Sequence, residues 1–263
     1  MKEAAFFSLA VLLFGTQLAF GQIVQVQEDS VVTVHPDFSN PSHVNGLSPT
    51  LPVSPMHLNF QASPILKFDL TGFPGQIVTD DVDLDFVVQG THPNYNSHRF
   101  IGMHRVLVPW NEATLTWNTF GPSPGLNEGV DYETVPMFIL PDLIGAVSGT
   151  VVTFPIQKEI VQSWIDQPSQ NHGVIIISRE GFSHTDIAFH SKEASNGLSP
   201  FISLQLEPRL GDVNCDGFVD LLDVSPFVQT LASGSFDDKA DINRDGIVNL
   251  LDVAPFVNLL TLP

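Results

Sequence analysis

The chain has 263 residues, of which 29 are acidic and 10 basic, so its formal net charge at neutral pH is −19. Nucleic acids and anionic membranes are bound largely through lysine and arginine side chains that neutralise phosphates, so a chain this acidic repels them. The composition therefore excludes nucleic acid as a partner, and the single cysteine, Cys215, excludes an internal disulfide.

The amino-terminal segment 1–21 has the organisation of a secretory signal peptide. A charged start precedes an apolar run over residues 4–14, and small residues follow it. A membrane span needs about 20 apolar residues, and the glycine and polar residues at 15–17 interrupt this run. We expect a mature protein that begins near Gln22, is secreted or cell-surface associated, and has no membrane span after cleavage.

Residues 22–208 alternate short segments of β-branched and aromatic residues with turns of proline, glycine and asparagine. The strands predicted from this pattern are Val31–His35, Ile65–Leu70, Val82–Val88, Phe100–Val108, Val151–Ile156, Gly173–Ser178, Asp186–His190 and Phe201–Leu206. The segment Gln157–Ile165 instead places apolar side chains on one helical face and predicts a short helix capping the sheets. Together these elements predict a mainly β fold, an antiparallel β-sandwich with one core.

Five runs of residues in this region resemble, in order, the DNRLRE-domain family. They are Gln27–Val31, Ile65–Leu70, Trp110–Asn118, Trp164 with the later Asn171–Gly173, and Phe189–Ala194 with the later Pro200. The W-x-E-x-x-x-T-W-N pattern of Trp110–Asn118 is the most specific of them. The resemblance implies a jelly-roll β-sandwich of secreted bacterial proteins. It also implies a carbohydrate-binding role, since some members recognise acidic polysaccharides such as alginate.

An acidic polysaccharide requires cations, and the sandwich offers a small set of them. The candidate glycan-binding residues are Lys67, Arg99, Arg105, Arg179, His190 and Lys192. Structural ion pairs, such as Lys67 with Glu193, are the alternative role for these side chains. The overall acidity leaves a neutral glycan, or an anionic glycan bridged by calcium, equally open. Trp110, Trp117 and Trp164 are interpreted as core residues rather than sugar-stacking ones.

No catalytic motif is recognisable in the sequence. It contains neither an H-E-x-x-H zinc signature nor a G-x-S-x-G nucleophile turn. The acidic pairs Asp80-Asp81 and Asp83 with Asp85 are interpreted as a solvated strand edge rather than as glycosidase carboxylates. We expect a protein that is not an enzyme.

The tail, residues 209–263, contains an internal repeat of one motif. Residues 212–231 and 241–260 have nearly the same sequence at a step of 29 residues. Each copy places oxygen-bearing side chains at alternating positions and a glycine at position six, as a calcium loop of the EF-hand type requires. Asp stands at position twelve, where Glu is usual. The alternative is a pair of ordinary Asp/Asn/Gly turns.

The repeated loops therefore predict two calcium sites. The first site consists of Asp212, Asn214, Asp216, the carbonyl of Phe218, Asp220 through water, and Asp223. The second consists of Asp241, Asn243, Asp245, the carbonyl of Ile247, Asn249 through water, and Asp252. Cys215, at position four of the first loop, points away from the ion and is interpreted as an incidental exposed thiol.

The loop pattern D-x-N-x-D-G-x-x-[ND]-x-x-D resembles that of a type I dockerin. This resemblance implies calcium-dependent folding and binding to a cohesin-like or other surface protein. Loop positions ten and eleven, which in many cellulosomal dockerins carry small polar residues that contact cohesin, are leucines at 221–222 and 250–251.

The prolines at 226 and 255 predict helices that start there, with Ser225 as a possible N-cap, or helices kinked there. Ten apolar residues are expected to pack the two copies on each other, with a partner-binding stripe as the alternative. They are Leu222, Val224, Phe227, Val228, Leu231, Leu251, Val253, Phe256, Val257 and Leu260.

Two functions from different classes follow from the sequence. The first is a secreted, non-catalytic glycan-binding or adhesive protein attached to a scaffold through its tail. The second is a structural extracellular or envelope protein that binds no glycan and uses calcium only to stabilise the tail.

Overall fold

The structure, a computed structural model, describes residues 20–34, 45–57, 60–91, 101–140, 146–178 and 187–261. Most of the predicted signal peptide lies outside these ranges, as do Arg99 and Arg179. Within the described ranges, no helix is long and apolar enough to cross a bilayer.

The described part of the chain is mainly β, as predicted. Its strands are β1 (Phe20–Val34), β2 (Thr50–His57), β3 (Phe60–Phe68), β4 (Gln76–Val78), β5 (Val82–Thr91), β6 (Ile101–Arg105), β7 (Phe138–Leu140), β8 (Val151–Ile156), β9 (Val174–Ser178), β10 (Ile187–His190) and β11 (Phe201–Pro208). Every predicted strand overlaps an observed one. Three strands were not predicted: β2, whose sequence contains two prolines, and the three-residue strands β4 and β7.

All strand pairings are antiparallel and run in the order β1-β11-β5-β10-β2-β3-β9-β6-β7, with β4 on β11 and β8 on β5. Strand β1 joins the two ends of this path. Its first part pairs with β11 and, after an irregularity between Val26 and Glu28, its second part pairs with β3. The sheet thereby folds over into a sandwich.

The core lies between the two layers, because both contribute apolar side chains to one cluster. Leu84 and Phe86 of β5 face it from one layer, and Leu66 of β3 and Ile176 of β9 face it from the other. Side chains of this size each contribute about 1.5–3 kcal/mol when fully buried. The predicted helix is α1 (Lys158–Asp166), which buries Trp164 completely in this cluster.

The acidic residues near β5 do not mark a sheet edge, and that interpretation was wrong. Strand β5 pairs with β8, β10 and β11 and is therefore internal. Asp83 and Asp85 lie on its outer face, and Thr153 of β8 donates a hydrogen bond to Asp85. Asp81 accepts from the backbone N–H of Lys158 at 3.0 Å and so satisfies one of the free donors at the start of α1.

The tail contains a 3₁₀ turn (Leu221–Asp223) followed by α2 (Val224–Ser233), and then α3 (Val253–Leu260). The prediction that the helices start at the prolines with Ser225 as N-cap was wrong by two residues. Asp223 and Asp252 occupy the N-cap positions, and each proline is the third helical residue. Proline is tolerated there because the N–H groups of the first turn have no partner within the helix.

The tail core forms around two stacked rings. Phe227 and Phe256 lie with their centroids 4.1 Å apart and their planes at 10°. Leu231, Val253 and Leu260 pack against this cluster, as predicted. Five other members of the predicted set are exposed instead: Leu222, Val224, Val228, Leu251 and Val257. Two short helices bury only one stripe each, so these side chains lie on the outer face.

The tail contacts the sandwich directly, and Arg209 makes several of these contacts. Its guanidinium binds the Asp166 carboxylate at the end of α1 at 2.9 Å and also donates to the carbonyl of Gly217 in the first loop. Cys215 is half-buried, close to the turn at Gly75, and is therefore not the exposed thiol that was predicted. The short segment between the last strand and the first loop thus holds the two parts together.

Candidate functional site

The five runs that carry the family resemblance meet at one end of the sandwich. Asp29 lies in β1, Lys67 in β3, Glu112 in the loop after β6, and Lys192 just after β10. Far apart in sequence, their side chains form one network of ion pairs and hydrogen bonds. These residues therefore fix four segments of the sandwich to one another.

Lys192 is the central cation of this network. Its ammonium group lies 2.6 Å from Glu112 Oε1 and 2.7 Å from Glu193 Oε1, and its backbone N–H donates to Asp29 Oδ2 at 2.8 Å. The carboxylates of Glu112 and Glu193 raise the pKa of Lys192, which outweighs the effect of burial. Lys192 is thus a fixed cation rather than a free one.

Lys67 is also held in place. Its ammonium group lies 2.7 Å from Glu28 Oε1 and 5.5 Å from the centre of the Trp110 ring. Trp110 in turn donates to the carbonyl of His172 at 2.8 Å. A structural ion pair was considered for Lys67 with Glu193, and the partner found here is Glu28. The role was anticipated but the pairing was not.

The remaining glycan candidates are more scattered. Arg105 ends β6 and lies near enough to His172 to contribute, after burial and Lys67, to lowering the pKa of that histidine. His190 contacts the side chain of Asn196 at 3.4 Å within its own loop. Arg99 and Arg179 lie outside the described residues. The structure therefore brings Lys67, Lys192 and Arg105 to one region and places His190 in a separate contact.

Two clefts of about 380 Å³ flank the Lys67–Trp110 pair. One is lined by Pro109, Trp110, Asn111, Thr114, Leu115 and Thr119. The other, lined mainly by polar groups, is formed by Gln27, Lys67, Phe68, Asp69, Leu70, Thr71, Trp164, Pro168 and Asn171. Clefts of this size accept a small ligand or a short part of a polymer.

Asp29 is the most perturbed acid of the network. Its pKa is raised from 3.8 to about 7, mainly by burial; the backbone N–H of Lys192 lowers it, whereas the charge and the side-chain hydrogen bond of Glu193 and the charge of Glu112 raise it. Because a buried carboxylate loses its hydration, Asp29 favours the protonated form more in the folded chain than in the unfolded one.

This pKa predicts a pH dependence for the chain kept free of divalent cations. Between about pH 4 and pH 7 the folded chain holds up to one more proton at Asp29 than the unfolded chain, so this contribution to stability falls as the pH rises and is fully lost above about 7. We expect the stability of Asp29→Asn relative to the wild type to rise by about 2–4 kcal/mol between pH 5 and pH 8. Urea unfolding in EDTA, followed by tryptophan fluorescence, measures this difference.

Asp69→Asn is the control for this measurement. Asp69 is exposed, and hydrogen bonds from Thr71 lower its pKa, so this variant should gain no stability between pH 5 and pH 8. If the free energy of unfolding differs between Asp29→Asn and the wild type by the same amount across this range, the raised pKa of Asp29 is contradicted.

The first tail loop closes around its two terminal carboxylates. Asp212 and Asp223, at positions one and twelve, are both fully buried. Asp212 accepts from the backbone N–H groups of Asp216 and Gly217 at 3.0 and 3.1 Å, and Asp223 accepts from those of Asn214 and Asp220 at 3.0 and 2.9 Å. The two ends of the loop thereby converge.

The second loop repeats this arrangement. Asp241 accepts from the backbone N–H groups of Asp245 and Gly246, and Asp252 accepts from those of Asn243 and Asn249, all at 2.8–3.1 Å. Equivalent hydrogen bonds in both copies mean that the duplicated sequence produces a duplicated structure.

The other predicted ligands surround these carboxylates. In each loop the position-three amide donates to the position-five carboxylate: Asn214 to Asp216 at 2.8 Å, and Asn243 to Asp245 at 3.0 Å. The position-nine side chains, Asp220 and Asn249, accept from backbone N–H groups two residues later. The side chains of Phe218 and Ile247 are exposed, and their expected contribution is the carbonyl alone.

Both loops share a backbone feature that the sequence did not predict. Position four is left-handed, with φ of 60° at Cys215 and 58° at Arg244, and the glycines at position six have φ of 93° and 87°. Neither Cys nor Arg favours this conformation, so no compositional signal marks it. The two left-handed residues curl each loop tightly enough to gather its oxygen atoms.

The electrostatics of the loops fit a bound cation. Burial raises the pKa of Asp212, and the nearby Asp223 carboxylate acts in the same direction. A buried carboxylate pair is costly unless a positive charge compensates it. Two such pairs, surrounded by further oxygen donors, are the kind of donor set that calcium binds.

Comparison with known families agrees with this geometry. Residues 210–260 match the family model of the dockerin type I domain. A search of the curated proteins finds no relative of the chain. The resemblance of the tail to a dockerin, predicted from the loop pattern, is therefore confirmed, and the calcium binding and cohesin-type attachment typical of that family are supported for this dockerin-like tail.

The dockerin-like tail exposes apolar side chains at equivalent positions of its two repeats. Leu221 and Leu222 are 79% and 66% exposed, and their counterparts Leu250 and Leu251 are 78% and 67% exposed. Val228 and Val257 lie exposed on the helices that follow. Single exposed apolar residues are common, but a set repeated at equivalent positions indicates an interaction surface.

Proposed function

We propose that this chain is a secreted, non-catalytic protein that attaches to a cohesin-type scaffold or a cell-surface partner through its calcium-dependent tail and presents a polysaccharide-binding β-sandwich. The observation that carries the attachment role is the repeated exposed leucine surface on a segment that matches the dockerin type I family. Covering four water-exposed leucines, two at equivalent positions of each repeat, with a partner is favourable because it removes apolar surface from water.

Calcium would be held by the twelve loop residues predicted from the sequence, two ions in all. The ion would compensate the buried carboxylates at positions one and twelve and fix each loop against its helix. The helices begin directly at the position-twelve residues, Asp223 and Asp252, so the orientation of the leucines depends on the loop conformation.

The attachment role is tested with the full chain and a panel of purified cohesin modules. The wild type should bind a cohesin in calcium and lose binding in EGTA. Leu221→Asp with Leu250→Asp should weaken binding at least 100-fold, since a buried carboxylate replaces an apolar contact in each repeat. Both side chains are exposed in the free chain, so this double variant should fold normally.

Leu47→Asp is the matched control, because Leu47 is 86% exposed but lies on the sandwich. It should bind as the wild type does. An equal loss in both variants, or no cohesin bound by the wild type, would overturn the attachment role.

The polysaccharide-binding role is supported by the family resemblance and by the two clefts beside Trp110. Because Glu28 and Glu112 already neutralise Lys67 and Lys192, a neutral glycan or one bridged by calcium suits this region better than direct binding of an acidic sugar. The full chain, applied to an array of polysaccharides with and without calcium, should be retained by at least one.

A structural role without any glycan is the second candidate. It is favoured by the same ion pairs, since a network that fixes four segments of the sandwich needs no ligand to explain it. Retention by no polysaccharide in either condition would favour this function and leave the attachment role of the tail unaffected.

A further inference from the structure

Three carboxylates of the sandwich converge from separate segments. Asp29 of β1, Glu112 of the loop after β6, and Glu193 just after β10 each offer an oxygen, and these three oxygens all lie within 4.8 Å of one another. Oxygen-only donors of this kind suit a hard cation. Carboxylates also gather around lysines, so the cluster alone does not establish a site.

The second observation is that two oxygens of these carboxylates, Asp29 Oδ1 and Glu193 Oε2, are buried without a nitrogen or hydroxyl donor within the described ranges. Asp29 is 1% exposed; its Oδ2 accepts from the backbone N–H of Lys192, whereas its side chain is hydrogen-bonded to Glu193 only when one of the two carboxyl groups is protonated. A buried oxygen without a donor costs about 1–3 kcal/mol, and more when it is charged.

The net charge of the network also favours a bound cation. Lys192 is paired with Glu112 and Glu193, so when Asp29 is ionised three carboxylates face one ammonium group and two negative charges remain. The neighbouring Lys67 is already neutralised by Glu28. A single divalent cation would balance the cluster.

We propose that Asp29, Glu112 and Glu193 bind one hard divalent cation, separate from the ions expected in the tail. Calcium is favoured over magnesium because it accepts carboxylates in irregular, flexible geometries, whereas magnesium demands a near-ideal octahedron and usually keeps several of its waters. The ion clamps β1, the loop after β6 and the segment after β10 at the end of the sandwich that carries the two clefts.

The test counts the calcium ions retained by the full chain after equilibrium dialysis against calcium chloride, measured by elemental analysis. Asp29→Asn, which preserves the shape of the side chain, should retain one ion fewer than the wild type. Asp80→Asn, which changes an exposed carboxylate outside the cluster, should retain the wild-type number. If Asp29→Asn does not fold, Glu193→Gln replaces it with the same expected loss.

Equal counts in the wild type and the cluster variants would overturn the site. The tail sites are distinguished by Asp223→Asn with Asp252→Asn, which should lower the count in the tail and leave the cluster ion bound. If only the tail variant retains fewer ions than the wild type, the cluster site is wrong and the tail sites stand. If only Asp29→Asn retains fewer ions, the tail sites are wrong and the cluster site stands.

Discussion

Removal of calcium by excess EGTA is expected to unfold the dockerin-like tail while the sandwich stays folded. The tail core consists of only five buried apolar residues: Val213, Phe227, Ala240, Val248 and Phe256. A core this small supplies little of the free energy needed to order about 50 residues. The buried aspartates add a further cost when no cation compensates them. Cation binding must therefore supply much of the folding free energy of the tail.

The expected result is a loss of helical circular dichroism together with fast hydrogen exchange at the amides of α2 and α3. The strands around Trp164 should keep their protection, since their core is separate and large. At a calcium concentration 100-fold above the dissociation constant, one site stabilises its loop by about 2.7 kcal/mol. Asp252→Asn should show the same loss in the second repeat without a chelator. Slow exchange at Phe227 and Phe256 in EGTA would contradict this account.

Replacement of Lys192 by methionine is expected to destabilise the sandwich strongly. The substitution leaves the carboxylates of Asp29, Glu112 and Glu193 close together without their ammonium partner. Breaking a buried ion pair from one side costs about 3–5 kcal/mol, and we expect about 3 kcal/mol because the Lys192 side chain is 24% exposed. Urea unfolding at pH 7 in EDTA, followed by tryptophan fluorescence, measures this loss.

Lys158→Met provides the matched control for that loss. Within the described ranges, the Lys158 ammonium donates only to the backbone carbonyl of Thr79, so its removal should cost less than about 1 kcal/mol. Glu112→Gln combined with Lys192→Met should be less destabilising than the sum of the two single variants, because both act on one ion pair. If Lys158→Met and Lys192→Met lose equal amounts of stability, the ion network contributes little to the stability of the sandwich.

Sequence periodicity predicted the elements that bury a long apolar stripe. Strands such as β5 and β8 alternate buried and exposed residues, and α1 places Val161, Trp164 and Ile165 on one face. The short strands β4 and β7 have no such pattern, since three residues pair only because neighbouring strands hold them in place. The internal position of β5 was also hidden, because pairing between strands distant in sequence leaves no local signal.

The two tail loops and the ion network differ in how far the sequence could predict them. Each loop is a local structure, so the spacing of its aspartates and glycine determined which side chains converge. The network depends on contacts between residues up to 163 positions apart, such as Asp29 with Lys192. Its residues were recognised by family resemblance, but their partners were not. The helix starts were misplaced because proline is compatible with any position of the first turn.

The most direct test of the account is native mass spectrometry of the full chain in calcium, compared with Asp223→Asn and with Asp223→Asn/Asp252→Asn. The account predicts that the first substitution removes one calcium ion and the pair removes two. If the wild type and the double variant carry the same number of ions, the two loops do not bind calcium, and the calcium-dependent attachment of this protein is wrong.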